Sequence, residues 1–544
     1  MQVNAILFDV QSIQKYIFAN NKLKANVGAS YIVDRLFKNV LCDEVIKNIG
    51  VAADTTSWLS QGESLTALPT PVYVAYIGGG NALVLVDEAH EALVANIIKQ
   101  FTTRVLTKYP SLKVGATSGT ITLDKDKFSS DLSVLYSQLK ANQHTLHPIV
   151  TPANTGLTTI CDFSGDVADT TEPIGEKRLV ATSFSAKFNA FDAANKRLSL
   201  DLFGTEDTDW VFPSELEDLG QNQSTEKSKT GINDIAIVHI DGNNMGAHFR
   251  ACKTLEERSA LSKRVHEKTL ASFKATVEWI IDHYDVLDSE LELKPNMMPI
   301  RPIIVGGDDI TFICNARIAV QTSQFLMQQL LSDADGMSIA SCAGIAVIPT
   351  SYPFFRGYEM AEQLCDSAKA KMRAYNETHT ISESCWMDFA FLHGETAPTL
   401  EQFFANEYSS LTGNMHFGPY RVYGRTESVA SGDIEGLPQV LDCTAQFNAG
   451  KVMAHNKVKE LRSVLQDNEH MWTVFLEQLR NTGASLPNVA GWEAFTDKLW
   501  AKIDGHMRTP YTDAIELMDY VLPCLLYTSP SPRDYAASRM PSSA

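Results

Sequence analysis

Residues 5–18, AILFDVQSIQKYIF, and residues 236–249, AIVHIDGNNMGAHF, share one pattern: an apolar run ending in aspartate (Asp9, Asp241), then a polar turn into a helix. At a similar distance beyond each aspartate comes a glycine turn between two apolar runs. The first is YIGGGNALVLV, with Gly78, Gly79, Gly80 and Asn81; the second is IVGGDDITFI, with Gly306, Gly307, Asp308 and Asp309. A chain that repeats itself this way must build the same unit twice, and this is the strongest constraint the sequence places on the fold. Around each turn the order is strand, long helix, strand, glycine turn, strand, helix. Leu93, Ile97, Phe101 and Val105 recur every four residues, as do Val277 and Ile281 after Leu270 and Phe273. Beyond the second turn, VQTSQFLMQQLL reads as a helix, SIASCAGIAVI as a buried strand and YEMAEQLCDSAKAKMRAY as a helix. The pattern is that of a duplicated ferredoxin-like unit. Beyond residue 400 strand signals fade and helical periodicity takes over. The expected class is therefore α/β (α+β): two ferredoxin-like domains followed by a helical C-terminal domain.

The expected boundaries are 1–144 for the first unit, 145–231 for an irregular insertion and linker, 232–399 for the second unit, and 400–523 for the helical domain. The stretch GQNQSTEKSKTG, residues 220–231, is the clearest linker. Residues 524–544, CLLYTSPSPRDYAASRMPSSA, resemble the translation of a transposase-type sequencing adapter. They are expected to be an artefact that replaces the natural continuation past Pro523.

The whole sequence has 544 residues, enough for about three domains. A net charge of -19 argues against a large self-sufficient nucleic-acid surface, which needs clustered Lys and Arg. The nine cysteines are scattered without a CxxC pair, which fits a reducing compartment. No long apolar run reads as a membrane span and no signal peptide is evident. A cytoplasmic location is expected.

Two tandem aspartates at a turn repel each other unless something positive sits there. A strand ending in Asp241 beside a turn carrying Asp308 and Asp309 gathers three carboxylates, and two Mg²⁺ or Mn²⁺ ions would relieve the repulsion. In such a two-metal site one ion activates an attacking hydroxyl and the other stabilises a leaving pyrophosphate. Gly306 and Gly307 would let the backbone approach a triphosphate. The bland alternative is a solvated acidic turn.

The segments IDGNNMGAHF, VGGDDITF and AGIAVIPTSYPFFRGYEMAEQLCDSAKAK resemble the second palm domain of the large, polymerase-like subunit of type III CRISPR effector complexes. LFDVQSIQKYIFANNKLKANVGASYIVDRLF with YIGGGNALVLV is similar to that family's first palm, so the resemblance covers most of residues 1–380. The palm is shared with nucleotidyl and diguanylate cyclases. The resemblance implies an enzyme that binds two ATP molecules and joins them into cyclic oligoadenylate messengers in antiviral defence. By position it implies Asp241, Asp308 and Asp309 as metal ligands and catalytic residues. Lys369 falls where related cyclases set a helix lysine against the triphosphate; a surface lysine on an amphipathic helix is the alternative. Gly78, Gly79 and Gly80 match the first palm's nucleotide-holding turn, and Asn81 replaces a carboxylate there, implying nucleotide binding without catalysis. Guide RNA and other type III effector subunits are the implied partners.

The chain departs from the family in several places. Asn243 stands where relatives often carry Asp, Cys161 stands alone where relatives pair cysteines for zinc, and no His-Asp dipeptide occurs. Neither an HD nuclease domain nor a zinc ribbon is expected. His239 reads as a packed strand histidine and NMHFGPYRVYG (414–424) as a loop packed by its own aromatics. Two other functions stay open: a nucleotide-sensing scaffold subunit of an RNA-guided complex, and a diguanylate-cyclase-like enzyme using GTP.

Overall fold

The computed structural model describes residues 1–56, 65, 67–145, 156, 158–220, 233–333, 336–381, 383–394, 398–422 and 433–526. Most of the expected linker and most of the adapter-like tail lie outside them.

The first repeat builds β1 (Gln2–Gln11), α1 (Ile13–Ile17), α2 (Leu23–Arg35), β2 (Ala53–Asp54), β3 (Val72–Gly78), β4 (Asn81–Val86), α3 (Ala92–Lys108), β5 (Lys113–Thr122) and α4 (Phe128–Thr145). Its sheet runs β2-β3-β4-β1-β5. β1 is apolar on both faces because both are covered. Ile6, Phe8 and Val10 enter one core with Phe37 and Phe101, while Val3, Ala5 and Leu7 enter another with Phe128, Leu132 and Leu135 of α4. The repeat in α3 lands as expected, with Ile97, Phe101 and Val105 buried.

Residues 170–220, expected as irregular insertion and linker, are ordered differently. They form the hairpin β6 (Thr170–Ile174) and β7 (Glu176–Val180), then α5 (Thr182–Asn189), α6 (Phe191–Phe203) and α7 (Glu217–Gly220). α5 lies backbone to backbone on α2: a Cβ at Gly28 would run into the carbonyl of Lys187. Lys187 donates to the Tyr16 carbonyl at 2.8 Å and lies 3.9 Å from the Tyr16 ring centroid. Short helices of mixed polarity gave no clear period, so only this packing reveals them.

The second repeat builds β8 (Asp234–Gly242), α8 (Met245–Ala251), α9 (Leu255–Asp282), α10 (Tyr284–Leu291), β9 (Ile300–Gly306), β10 (Asp309–Asn315), α11 (Ala319–Leu331), β11 (Ser341–Pro349), α12 (Phe354–His379) and β12 (Cys385–Phe391). Four strands repeat the first sheet's order: β5-β1-β4-β3 there, β11-β8-β10-β9 here. Both are ferredoxin-like sheets with the aspartate-ended strand inside. β12 extends the second sheet, parallel to β11.

The remainder holds α13 (Leu400–Glu407), β13 (Tyr420–Val422), α14 (Leu437–Asn448), α15 (His455–Leu465), α16 (Glu469–Thr482), β14 (Ala501–Ile503), β15 (His506–Arg508), α17 (Tyr511–Leu517) and α18 (Pro523–Leu526). It is mostly helical but not separate from the second repeat, because β13 pairs with β12 and covers that edge of the second sheet. The aromatic stretch expected as a self-packed loop supplies this strand, and Tyr420 stacks on Phe389 of β12 with centroids 5.5 Å apart. Leu525, at the start of the adapter-like tail, is buried. No described helix is long and apolar enough to cross a membrane.

Candidate functional site

The β9–β10 hairpin brings the second repeat's charged residues together. Gly306 ends β9, Gly307 takes φ +62° at the tip, and Asp309 opens β10 directly across from Asp241, the penultimate residue of β8. The Asp308 carbonyl accepts the Gly242 N–H at 3.1 Å. Gly242 is required here, since a Cβ on it would stand 2.8 Å from the Asp308 Cβ. A Cβ at Gly306 or Gly307 would meet nothing within 4 Å, so the tip faces open space.

Burial, and then the Asp241 charge, push Asp308 up to about 6 and Asp309 up to about 7. One cation answers them: Lys369 of α12 ion-pairs with Asp241 through Nζ and Oδ2. Burial works against the lysine's charge, but Asp241 outweighs it and holds the ammonium above its ordinary value. The structure thus places Lys369 on the carboxylate rather than as a free surface lysine. His239 is buried on β8, 3.1 Å from the Thr311 hydroxyl and 3.4 Å from Asp309 Oδ1, and burial lowers its pKa. It packs edge-on against Tyr358 at 5.9 Å. Asn243 is buried as well, its Nδ2 donating to the Ser384 carbonyl at 3.0 Å.

The first repeat carries the same frame with different chemistry. Asp9 sits opposite Asn81, as Asp241 sits opposite Asp309. The Gly80 carbonyl accepts from Val10 N at 2.8 Å, as that of Asp308 does from Gly242. The two positions have exchanged bulk: valine and glycine in the first repeat, glycine and aspartate in the second. Gln143 of α4 donates to Asp9 at 2.9 Å, where Lys369 of α12 pairs with Asp241. Gly78 ends β3, and Gly79 and Gly80 adopt φ +58° and +77°. Among the described residues this frame keeps one acid, Asp9, with a glutamine where the second repeat has Lys369.

All-oxygen carboxylate donors beside open space suit a hard divalent cation. No group of three or more His, Cys, Asp or Glu side chains among the described residues already stands arranged around such an ion. Sequence reading passed over Thr269, buried on α9, whose hydroxyl donates to the Gly307 carbonyl at 2.6 Å. It also passed over Gly242 and Gln143. The first lacks any local sequence signal; the other two become visible once the repeats are aligned strand by strand.

Paired ferredoxin-like sheets, each with an aspartate-ended central strand beside a glycine hairpin, define a duplicated palm protein. Residues 234–377 match the family model described as Cas10/Cmr2, second palm domain. Among solved structures, Csm1 in T. onnurineus is similar at 11% identity with TM-score 0.54, over 96% of this chain and 70% of that one. A Csm1–Csm4 cassette in complex with pppApApA is similar at 10% identity with TM-score 0.51, over 95% and 69%. A Csm1–Csm4 cassette in complex with cA3 is matched over 68% of this chain, which spans about half (53%) of the matched cassette chain, at 12% identity and TM-score 0.44. No curated protein matches the chain.

Proposed function

We propose that this chain joins ATP molecules into cyclic oligoadenylates at the β9–β10 hairpin, with two divalent ions, Mg²⁺ or Mn²⁺, held by Asp241, Asp308 and Asp309. The observation that carries this reading is the cross-strand pairing of Asp309 with Asp241, with Asp308 beside them at an open glycine tip. Bound there, the ions would supply activation of the attacking 3′-hydroxyl and stabilisation of the departing pyrophosphate. Gly306 and Gly307 give a triphosphate access to the backbone. Lys369 neutralises Asp241 and stands ready to meet a phosphate once that carboxylate is otherwise engaged. Gly78, Gly79 and Gly80 hold the second nucleotide beside Asn81, which adds no charge. Guide RNA and other type III subunits are the proposed partners, antiviral defence the setting and the cytoplasm the location.

The test is incubation of the full chain with ATP or GTP and Mg²⁺ or Mn²⁺, with products read by mass spectrometry beside an Asp308→Ala/Asp309→Ala variant. Cyclic oligoadenylates that vanish in the variant are expected; products from GTP alone would reassign the base. The Lys369–Asp241 ion pair favours a second reading, a nucleotide-sensing scaffold with a quenched site. Nucleotide binding without product, even with target RNA and partner subunits added, would establish that reading instead.

A further inference from the structure

One helix touches the hairpin unit of both palms. α9 opens inside the first palm, where Leu255 belongs to the core packed under β1 and α4. Glu256 accepts the Leu65 N–H at 3.0 Å, and Arg258 donates to the Tyr136 hydroxyl at 3.0 Å while lying over the Tyr76 ring. Ser259, fully buried, donates to the Ala75 carbonyl at 3.1 Å. Ala75 sits at the irregularity in the β3–β4 ladder, between Val74 and Tyr76, and a bulge residue loses its ladder partner. The Ser259 hydroxyl gives this interior carbonyl a hydrogen-bond partner on α9. Ten residues on, about 15 Å along the helix axis, Thr269 donates to the Gly307 carbonyl at the tip of the other hairpin. That carbonyl belongs to the peptide whose N–H is carried by Asp308, so rotating this peptide would swing the Asp308 side chain. The rest of α9 is fixed in the second palm, where Phe273 packs on Phe312 and Trp279 stacks on Phe325.

We propose that α9 is a rigid tie between the two hairpins, with Thr269 a positioning residue that sets the Gly307–Asp308 peptide and Ser259 the anchor that holds the helix to the first palm. Through it, a change at β3 is felt at Asp308. The catalytic part of this inference rests on the proposed function; the mechanical part does not.

Two readouts keep these apart. In hydrogen exchange on the full chain, Thr269→Val should speed exchange at residues 306–309 while the β8 and β11 amides stay protected. Ser259→Ala, which removes a hydrogen bond into the first palm, should speed exchange both at β3 and at 306–309. Faster exchange confined to β3 in Ser259→Ala would overturn the tie, and an unchanged tip in Thr269→Val would overturn the positioning role. In the ATP assay, Thr269→Val should lower kcat about 10- to 100-fold with KM changed less than about 2-fold, because small displacements of reacting groups are costly. Thr269→Ser, which keeps the hydroxyl, should restore kcat to within about 2-fold. An equal loss in the serine variant would overturn the hydrogen-bond assignment. A wild-type chain that makes no product, even with target RNA and partner subunits added, would refute the proposed function and leave the exchange measurements to decide this inference.

Discussion

Gly242 shows how much can depend on one missing atom. It follows Asp241 at the end of β8, and only hydrogen fits between its Cα and the Asp308 side chain. Gly242→Ala should displace Asp308, cost about 1–3 kcal/mol through overpacking and remove the proposed nucleotide joining; thermal melts and the ATP assay would read the two effects separately. Arg301 is the opposite case, a full charge in the interior. It is 1% exposed on β9, and its Nε and one Nη find no hydrogen-bond partner among the described residues. Its guanidinium lies between the Phe191 and Phe212 rings at 5.3 and 5.8 Å, and burial lowers its pKa to about 9. Ring faces recover part of a cation's lost hydration, rarely all of it. Arg301→Met should therefore melt at or above the wild-type temperature; a fall of several degrees would show that the ring sandwich outweighs the buried charge.

At the scale of elements, the two glycine hairpins are alike in backbone and unlike in charge, the first tip neutral and the second acidic. Asp9, capped by Gln143, is raised by burial and faces an asparagine, whereas Asp241 faces a second carboxylate. Asp9→Asn should leave oligonucleotide formation within about 2-fold of wild type, and Asp241→Asn should abolish it, as expected if only the second hairpin performs metal chemistry. The join between β12 and the C-terminal helices is equally local. His416 lies between Asp388 of β12, 2.9 Å from Nε2, and Asp513 of α17, 3.2 Å from Nδ1. Burial opposes its charge, but the two carboxylates outweigh it and raise the imidazole to about 10. A folded-state value above the ordinary 6.5 means that the contribution is whole below about 6.5 and lost as pH rises through about 10. Melting temperature should fall across that window in the wild type and run flatter in His416→Gln.

For the whole molecule, the C-terminal helices are tied to the second palm by a shared sheet and by side-chain hydrogen bonds. β13 completes the palm sheet, Tyr520 donates to Asp234 at the start of β8 at 2.6 Å, and Gln321 of α11 reaches the Leu522 carbonyl at 2.8 Å. A chain cut after Leu392 would expose the β12 edge and strip Asp388 of its imidazolium partner, so it should bind a hydrophobic dye and aggregate where the full chain does not. A monodisperse, cooperatively melting fragment would show that the palms fold alone.

Much of this was legible in the sequence because repeats and short-range periodicity are local properties. The duplicated strand–turn–helix order, the tandem aspartates after two glycines and the four-residue spacing in α3 each follow from side chains a few positions apart. The sequence could therefore specify two palm-like sheets and set Asp241, Asp308 and Asp309 in matching places. It could not specify which cation would meet Asp241, that Gln143 would stand in for Lys369 in the first palm, or that residues 182–203 would pack on α2 instead of linking domains. Nor could it show that Thr269 and Ser259 hold two hairpins by one helix. Those contacts join residues far apart along the chain, and only closure of the sheets against their helices brings them within hydrogen-bond range.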